Sequence, residues 1–402
     1  MKTINQKIEK VKEILKDKKV AISFSGGADS TLLAYLAKDV CKDLILITYN
    51  NCIMPTNFVE FAKEKASELK INHEIIENDF INIPNFVEND PNRCYVCRKL
   101  MYDTIKQVAN DKGYQIIIDG TNISDLIEDR PGILINYMYE IQSPFIEVKL
   151  ENDEIHKYLD ENNINYSKAT TCLATRIKTG EEITADKINR ISYSEDIIKN
   201  IIKSDEIRLR EENNIGTIEI KDFEKIIDLN KINTIKDELK AMNYDKLLLN
   251  ITYEDKKENL IEFKEDKINN TYAFEKDLPY KIDLNSTKEK LETVSNSNNN
   301  NNNNNSNSNN NSNSNNSNNN NHKDSNIIKN IRYLEDIGFI NLELESNESK
   351  YNIIEDNRLK PNITIFKNGK ITGKNFNSKE DVKNSFILIL QNIKRANFRD
   401  YY

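Results

Sequence analysis

The first half of the chain alternates between short apolar runs and longer amphipathic segments. Apolar runs typical of buried strands occupy residues 20–24, 44–49, 73–77 and 115–119. Segments with apolar residues at helical spacing lie around them, at residues 4–18, 32–37, 58–70, 94 onward and 153–161. This alternation predicts an α/β fold, a parallel sheet with helices on both faces, in which ligands bind beyond the carboxyl ends of the strands.

The pattern changes near residue 180. Helices are predicted at 184–203 and 222–242, and strands at 206–210, 217–220 and 246–252. Together they suggest a small α+β domain that follows the α/β domain. The sequence therefore predicts a first domain over residues 1–178 and a second over residues 179–294.

Residues 295–321 contain only Asn and Ser. Such a tract has no apolar surface to offset the entropy cost of ordering, so we expect a disordered linker. A third module, residues 322–402, follows it. Its pattern predicts a helix at 327–337, a strand at 339–345, a hairpin at 362–372 and a helix at 378–394.

A small-residue turn joins the first predicted strand to the next helix. Gly26 and Gly27 let a ligand approach the backbone closely, and the helix start offers free N–H groups and partial positive charge to an anion. The turn is therefore predicted to hold phosphate. Its form, Ser-Gly-Gly-x-Asp-Ser, resembles the pyrophosphate loop of the ATP pyrophosphatase superfamily, which implies cleavage of ATP between its α and β phosphates. The predicted nucleotide contacts in this loop are Ser25, Gly26, Gly27, Asp29, Ser30 and Thr31.

Further polar residues follow other predicted strands at the same edge. The stretch Asp119-Gly120-Thr121-Asn122 ends a strand, and Asp125 and Asp129-Arg130 come next. Carboxylates there could hold the Mg²⁺ that accompanies ATP, and an arginine could bind phosphate, although a capped turn with a surface ion pair is the alternative. The predicted nucleotide contacts at this edge are Tyr49, Gly120, Thr121, Asn122, Asp125 and Arg130.

Three cysteines stand out by their spacing. Cys94 and Cys97 open a helix, and Cys172 precedes a conspicuous Thr-Arg pair. The helix N-terminus and the neighbouring Arg93 and Arg98 are expected to lower the thiol pKa values and favour thiolates. Three thiolates can hold three irons of a cubane cluster and leave the fourth iron free to bind sulfide. Zinc and free or redox-active thiols are the alternatives, and zinc lacks an evident fourth ligand.

Several charged residues are candidates for substrate or metal binding. Arg208 and Arg210 alternate on a predicted strand and so share one face, as a phosphate-binding pair would, although solvated arginines on an edge strand are the alternative. Arg176, close to Cys172, is predicted to contact substrate. Glu195 is a candidate Mg²⁺ ligand, with a solvated helix face as its alternative.

Six motifs together resemble the LarE family of ATP-dependent sulfur transferases, over about residues 5–255. One segment departs from that family, which commonly has Trp-Asp-x-Pro where this chain has Tyr166-Ser167-Lys168-Ala169. The motifs, in the order of the family, are Ser25-Gly26-Gly27-Ala28-Asp29-Ser30, Arg93-Cys94-Tyr95-Val96-Cys97, Asp119-Gly120-Thr121-Asn122, Arg130-Pro131-Gly132, Ser143-Pro144 and Cys172-Leu173-Ala174-Thr175-Arg176-Ile177.

The resemblance implies a specific chemistry. ATP would adenylate a carboxylate of pyridinium-3,5-biscarboxylic acid mononucleotide, and sulfur would displace AMP, in the synthesis of the nickel-pincer nucleotide of lactate racemase. In the single-cysteine form of the family, the residue matching Cys172 gives up its own sulfur. In the form with three cysteines, matching Cys94, Cys97 and Cys172, a [4Fe-4S] cluster carries the sulfide, and this chain resembles that form. The resemblance also implies phosphate binding by Arg208 and Arg210, and metal binding by Glu195.

Composition bears on the binding partners and the location of the protein. The net charge is -8, which offers no general attraction to nucleic acid, and there is no run of 18 apolar residues. The polar start resembles a helix more than a signal peptide, so we expect a soluble cytoplasmic protein without a membrane partner. A small nucleotide substrate, a homo-oligomer and an unidentified sulfide donor are expected. The rival functions are tRNA 2-thiolation, amide ligation of the NAD-synthetase or asparagine-synthetase type, and a nucleotide-binding module without activity.

Overall fold

The computed structural model describes residues 3–128, 130, 132–167, 171–204, 207–221, 223–250, 260–266, 271–306, 327–334, 338–345 and 360–396. The chain divides into two compact units. The N-terminal unit comprises Ile4–Asn122 and Arg130–Glu258. The C-terminal unit comprises Met1–Thr3, Ile123–Asp129 and Asn259–Tyr402.

A parallel sheet forms the centre of the N-terminal unit. Its strands lie in the order β3-β2-β1-β4, and each adjacent pair is parallel. The predicted parallel sheet is therefore confirmed. The strands are β1 (Lys19–Ser23), β2 (Asp43–Asn50), β3 (Asn72–Glu77) and β4 (Ile116–Ile118).

Alternate residues of these strands enter different hydrophobic cores. Ala21 and Ile47 pack in one core, together with Phe80, whereas Val20 and Ile22 pack in the other. Because successive strand side chains point to opposite faces, this division confirms the prediction of helices on both faces. The helices of this part are α1 (Ile4–Leu15), α2 (Ala28–Ala37), α3 (Phe58–Leu69), α4 (Pro84–Val87), α5 (Arg93–Asp111), α6 (Ile133–Met138), α7 (Pro144–Glu147) and α8 (Asn152–Glu161).

The rest of the N-terminal unit is the predicted α+β segment. Its strands lie in the order β5-β6-β7, with β5 antiparallel and β7 parallel to β6. The helix predicted over 222–242 is interrupted, because the Asp228 side chain accepts hydrogen bonds from the N–H groups of Asn230 and Lys231 and so starts a new helix. The elements are α9 (Ala185–Ile202), β5 (Ile207–Glu212), β6 (Ile215–Ile220), α10 (Leu229–Ala241) and β7 (Lys246–Asn250).

The predicted boundary at residue 178 does not separate two compact units. Leu209 and Ile218 of the α+β segment share one hydrophobic core with Phe80 and Tyr102 of the α/β part. A continuous core of this kind makes the two parts one packing unit.

An antiparallel sheet forms the centre of the C-terminal unit, with strands in the order β10-β11-β12-β13-β9-β8. The predicted hairpin is confirmed: β12 and β13 pair, and Gly369 between them has φ +99°, which favours glycine. The elements are β8 (Phe263–Asp266), β9 (Thr271–Asp277), α11 (Leu284–Ser306), β10 (Ile327–Leu334), β11 (Phe339–Glu345), β12 (Asn362–Phe366), β13 (Lys370–Phe376) and α12 (Lys379–Asn392).

Three expectations for this region were wrong. Residues 327–334 of the helix predicted at 327–337 form strand β10, because pairing with β11 determines their conformation, and residues 335–337 lie outside the described residues. The predicted linker begins inside helix α11, which continues to Ser306; adding a residue to an existing helix costs much less than starting one. Residues 307–321 of that linker lie outside the described residues. The boundary at 294 also fails, because β8 and β9 belong to the same sheet as β10.

Among the residues that the structure describes, no helix combines the length and the apolar character that a membrane crossing requires. The finding agrees with the polar pattern of the sequence.

Lys394 of the C-terminal unit provides a test of stability against pH. Burial lowers the pKa of its ammonium from 10.5 to about 8, and the charge of Lys290 adds to the effect. The folded state therefore carries a penalty that is full below pH 8 and disappears as the pH rises toward 10.5. We expect Lys394→Met to raise the thermal unfolding temperature at pH 7 and to change it little at pH 10.5. The exposed Lys360→Met serves as control, and an equal gain at both pH values would contradict the prediction.

Candidate functional site

The phosphate loop has the geometry expected of an anion cradle. Gly26 adopts φ +74°, and Ser30 Oγ accepts a hydrogen bond from the N–H of Ser25 at 3.3 Å. Gly27 precedes α2 and has no side chain that could cap the helix. The N–H groups of the first helical turn therefore face the loop without a hydrogen bond from this residue. The loop therefore offers backbone donors to a phosphate.

Gly120 brings the end of β4 against the start of α2. A Cβ at Gly120 would lie 2.7 Å from Asp29 Cβ and 3.0 Å from the N of Ser30. Asn122 Nδ2 donates to Asp29 Oδ1 at 3.1 Å. The structure thus brings together predicted nucleotide contacts from two separate strand ends.

The hydroxyl group of Thr31, at the start of α2, is buried. The residue is 1% exposed, and within the described ranges no hydrogen-bond partner contacts its Oγ1. Buried hydroxyls are usually paired, so this atom suits a ligand at the start of α2. The observation fits the predicted ATP site, in which a phosphate oxygen or Mg²⁺ would meet this hydroxyl.

The carboxylate of Asp119 is hydrogen-bonded to several surrounding side chains. Its carboxylate accepts hydrogen bonds from Arg98 Nη2 at 2.5 Å, Ser143 Oγ at 2.7 Å, and Thr121 Oγ1 and Asn136 Nδ2 at 2.8 Å. A carboxylate that meets so many donors has little capacity left for Mg²⁺. Asp119 therefore holds the edge of the site together, a role that the sequence did not indicate.

Three other residues were predicted to contact the nucleotide, namely Tyr49, Asp125 and Arg130. Tyr49 is 4% exposed, its ring lies 5.6 Å from that of Phe80, and its hydroxyl accepts from Asn78, so it packs in the core. Asp125 lies in the 3₁₀ turn Ile123–Ile127 and is buried. Arg130 is exposed, and its neighbours 129 and 131 lie outside the described residues.

The three predicted cysteines lie close to one another. Cys94 and Cys97 are in the first turns of α5, and Cys172 precedes a 3₁₀ turn. Arg93 connects the start of α5 to the segment after Cys172. Its Nη1 donates to the carbonyl of Ala174 at 3.1 Å, and its Nη2 lies 3.9 Å from Cys94 Sγ. The fold thus gathers thiols that are far apart in sequence.

The expected lowering of the thiol pKa values was wrong for two of the cysteines. The pKa of Cys97 is raised to about 12, first by burial and then by neighbouring Cys172 and Cys94. Burial also raises the pKa of Cys172, and Cys94 adds to this effect. Arg98, expected to favour thiolates, is instead paired with Asp119. Cys97 and Cys172 are therefore held as thiols unless a cation binds them.

The residues that the structure describes contain no group of three or more His, Cys, Asp or Glu side chains arranged to hold a metal ion. The geometry therefore supports neither the zinc alternative nor the predicted [4Fe-4S] cluster.

Arg176 and Glu195 form a buried ion pair with each other. Arg176 Nε donates to Glu195 Oε1 at 2.9 Å, and both side chains are 2% exposed. The same oxygen accepts from the N–H of Leu209 at 3.0 Å. The guanidinium also donates to Thr171 and Thr175 beside Cys172. These contacts anchor the Cys172 loop on α9 and β5, and so correct the predicted roles of Arg176 in substrate binding and of Glu195 in binding Mg²⁺.

Arg208 and Arg210 share one face of β5, as predicted, while Leu209 between them is buried. Arg210 Nε donates to Glu219 Oε1 at 2.8 Å, and its Nη1 donates to the carbonyl of Thr175 at 3.0 Å. Glu219, which the sequence analysis did not single out, is the cross-strand neighbour of Arg208. The arginine pair therefore lies next to the loop that carries Cys172.

Main-chain hydrogen bonds connect the cysteines to the phosphate loop. The N–H of Ser167 donates to the carbonyl of Gly26 at 2.8 Å, five residues before Cys172. The N–H of Leu173 donates to the carbonyl of Ile53, just beyond β2, at 2.7 Å. The segment with Cys172 is therefore fixed to the same sheet edge as the phosphate loop.

The contact of Gly120 with α2 can be tested by Gly120→Ala. The added methyl group would displace the start of α2, so we expect ATP affinity to fall by about tenfold, equivalent to ~1.4 kcal/mol. Calorimetric titration with ATP measures the loss. Gly180→Ala, where a Cβ meets open space but φ is +88°, controls for the backbone strain of replacing a glycine outside the phosphate loop. Unchanged ATP affinity in Gly120→Ala would contradict the assignment.

The buried ion pair predicts the effect of Glu195→Gln. This variant leaves the Arg176 charge buried without its counter-ion, so we expect a loss of about 3–5 kcal/mol in the free energy of unfolding, measured in urea. The double variant Arg176→Met with Glu195→Leu should recover most of that loss, because it removes both charges. A stable Glu195→Gln protein that no longer responds to Mg²⁺ would instead restore the metal-ligand prediction.

The chain is similar to several known proteins. Residues 1–131 match the model of the PP-loop domain, whose members are ATP-using enzymes. Over 248 residues the chain is 32% identical to "Uncharacterized protein MJ0830" of Methanocaldococcus jannaschii, covering 60% of this chain and 92% of that protein. Over 221 residues it is 30% identical to "Uncharacterized protein slr1717" of Synechocystis, covering 54% and 82%.

A more distant relative has a named activity. Over 225 residues the chain is 25% identical to the pyridinium-3,5-bisthiocarboxylic acid mononucleotide synthase of Lactiplantibacillus plantarum, covering 55% of this chain and 81% of that protein. The phosphate loop described above lies within the matched PP-loop region. The chain therefore belongs to one family with MJ0830 and slr1717, and its N-terminal part is a PP-loop domain.

Proposed function

We propose that the protein is an ATP-dependent sulfur transferase that adenylates a carboxylate of a nucleotide and replaces one of its oxygens with sulfur. The observation that carries this proposal is the attachment of the Cys172 segment to the phosphate loop, through Ser167 and Gly26. A PP-loop domain that served only to bind ATP would not need three thiols at that edge.

The chemistry requires ATP because a carboxylate is a poor electrophile. A carboxylate oxygen attacks the α-phosphorus of ATP, and pyrophosphate leaves. Sulfide then attacks the carbonyl carbon, and AMP leaves with the original oxygen. If the Cys172 thiolate attacks instead, the resulting thioester releases the thiocarboxylate by elimination: a base removes the α-proton of Cys172, its Cβ–S bond breaks, and dehydroalanine remains. The donors of the phosphate loop and the Thr31 hydroxyl are suited to hold the phosphates during the first step.

Cys94, Cys97 and Cys172 are proposed to handle the sulfur. Cysteine thiolates are the ligands that [4Fe-4S] clusters bind. A bound cation would also offset the repulsion and burial that raise the pKa values of Cys97 and Cys172. When bound, such a cluster supplies sulfide. The proposal competes with the use of Cys172 itself as the sulfur donor. Experiment decides between them, because no three His, Cys, Asp or Glu side chains in the described part of the chain are arranged to hold a metal ion.

The proposed substrate is pyridinium-3,5-biscarboxylic acid mononucleotide. Similarity to the named synthase supports it, since that protein's product carries thiocarboxylates. Arg208 and Arg210, next to the Cys172 loop, are proposed to bind its phosphate.

The test incubates the protein anaerobically with ATP, Mg²⁺ and this mononucleotide, and measures pyrophosphate, AMP and thiolated product. We expect all three from the wild type. Cys172→Ala should release pyrophosphate but form no thiolated product, whereas Cys41→Ala should behave like the wild type. No pyrophosphate with this carboxylate, together with thiolation of tRNA, would overturn the proposal.

Iron and sulfide analysis of anaerobically purified protein distinguishes the two sulfur sources. About four irons per chain, lost in Cys94→Ala, would establish the cluster. An iron-free protein that loses the sulfur of Cys172 in one turnover would establish the cysteine as donor.

A further inference from the structure

Asn51 is a buried amide that lies between the sheet edge and the cysteines. It follows directly after β2 and is 3% exposed. Its Nδ2 lies 3.8 Å from Cys97 Sγ, within the range of an N–H···S hydrogen bond. Through this amide, β2 contacts the sulfur of a cysteine on α5.

The other end of the same amide has no partner. Asn51 Oδ1 is buried, and no donor contacts it within the part of the chain that the structure describes. A buried oxygen without a donor is uncommon, because only a hydrogen bond offsets its loss of water. Since Oδ1 and Nδ2 are bonded to one carbon, a group that donates to Oδ1 would lie beside the Cys97 sulfur.

Residues before and after Asn51 form hydrogen bonds next to the phosphate loop and next to Cys172. Before it, Thr48 Oγ1 donates to the carbonyl of Phe24, next to the phosphate loop, at 2.8 Å. After it, the carbonyl of Ile53 accepts the hydrogen bond of Leu173, next to Cys172. A reactant that spanned the phosphate loop and the thiols would therefore pass this amide.

We propose that Asn51 is a positioning residue for sulfur transfer: its N–H holds the Cys97 sulfur, and its carbonyl oxygen accepts a hydrogen bond from a hydroxyl of the nucleotide substrate. The proposal rests on the proposed function. An amide suits this task because it carries a donor and an acceptor on one rigid plane. Aspartate keeps the acceptor but loses the donor, and leucine keeps the approximate shape but loses both.

The contact with Cys97 is tested in the protein without ATP or metal. The side-chain amide resonance of Asn51 in a ¹⁵N-edited spectrum is assigned by its loss in Asn51→Asp. We expect it to shift in Cys97→Ala and to stay in place in Cys41→Ala. Cys41 is a matched control, because it is a half-buried thiol of the same unit that donates to Leu15. An unmoved resonance in Cys97→Ala would overturn the contact.

The positioning role is tested by the ratio of thiolated product to AMP. In Asn51→Asp and Asn51→Leu, at saturating substrate, we expect the product-to-AMP ratio to fall by about tenfold. Asn50→Asp is the matched control, because its Oδ1 accepts from the N–H of Cys52, which an aspartate also does.

A wild-type ratio in both Asn51 variants would overturn the positioning role. If the wild type itself forms no thiolated product, the proposed function fails and the substrate part of this proposal fails with it. The amide resonance still decides the contact with Cys97 in that case. The spectra also show whether each variant is folded.

Discussion

The candidate site depends on one constraint, the common direction of β1, β2 and β4. Parallel strands end at the same edge of a sheet, so the phosphate loop, Asn51 and Asp119 all follow strand ends at one edge. Side-chain and main-chain hydrogen bonds then fasten more distant segments to that edge. The most consequential is the bond from Ser167 to Gly26, because it fixes the chain shortly before Cys172.

Burial determines the electrostatics of the sulfur site. Helix position and nearby arginines would favour thiolates on an exposed surface, but burial disfavours charge more strongly at Cys97 and Cys172. The same low-dielectric surroundings hold Arg176 and Glu195 as a pair, since neither charge could be buried alone. A charged residue close to a cysteine in sequence can therefore serve to position the loop instead of binding a ligand.

The C-terminal unit shows how tertiary pairing overrides local pattern. Residues 327–334 have apolar spacing compatible with a helix, yet they form β10, because β11 offers a partner along its whole length. Strands β8 and β9 lie before the Asn/Ser tract in sequence and in the same sheet as the strands after it. The change in composition at the Asn/Ser tract therefore does not mark a domain boundary, because strands that are far apart in sequence can pair in one sheet.

The sequence by itself determined the α/β fold, the phosphate loop and the hairpin at Gly369, because each depends on local periodicity or on a glycine conformation. It also identified the three cysteines, as their spacing is visible without contacts. Only the tertiary structure decided that Tyr49 is a core residue, that Arg176 and Glu195 neutralise each other, and that Asp119 and Asn51 hold the edge of the site. These outcomes depend on which side chains meet and how deeply they are buried, and neither property is encoded in local spacing.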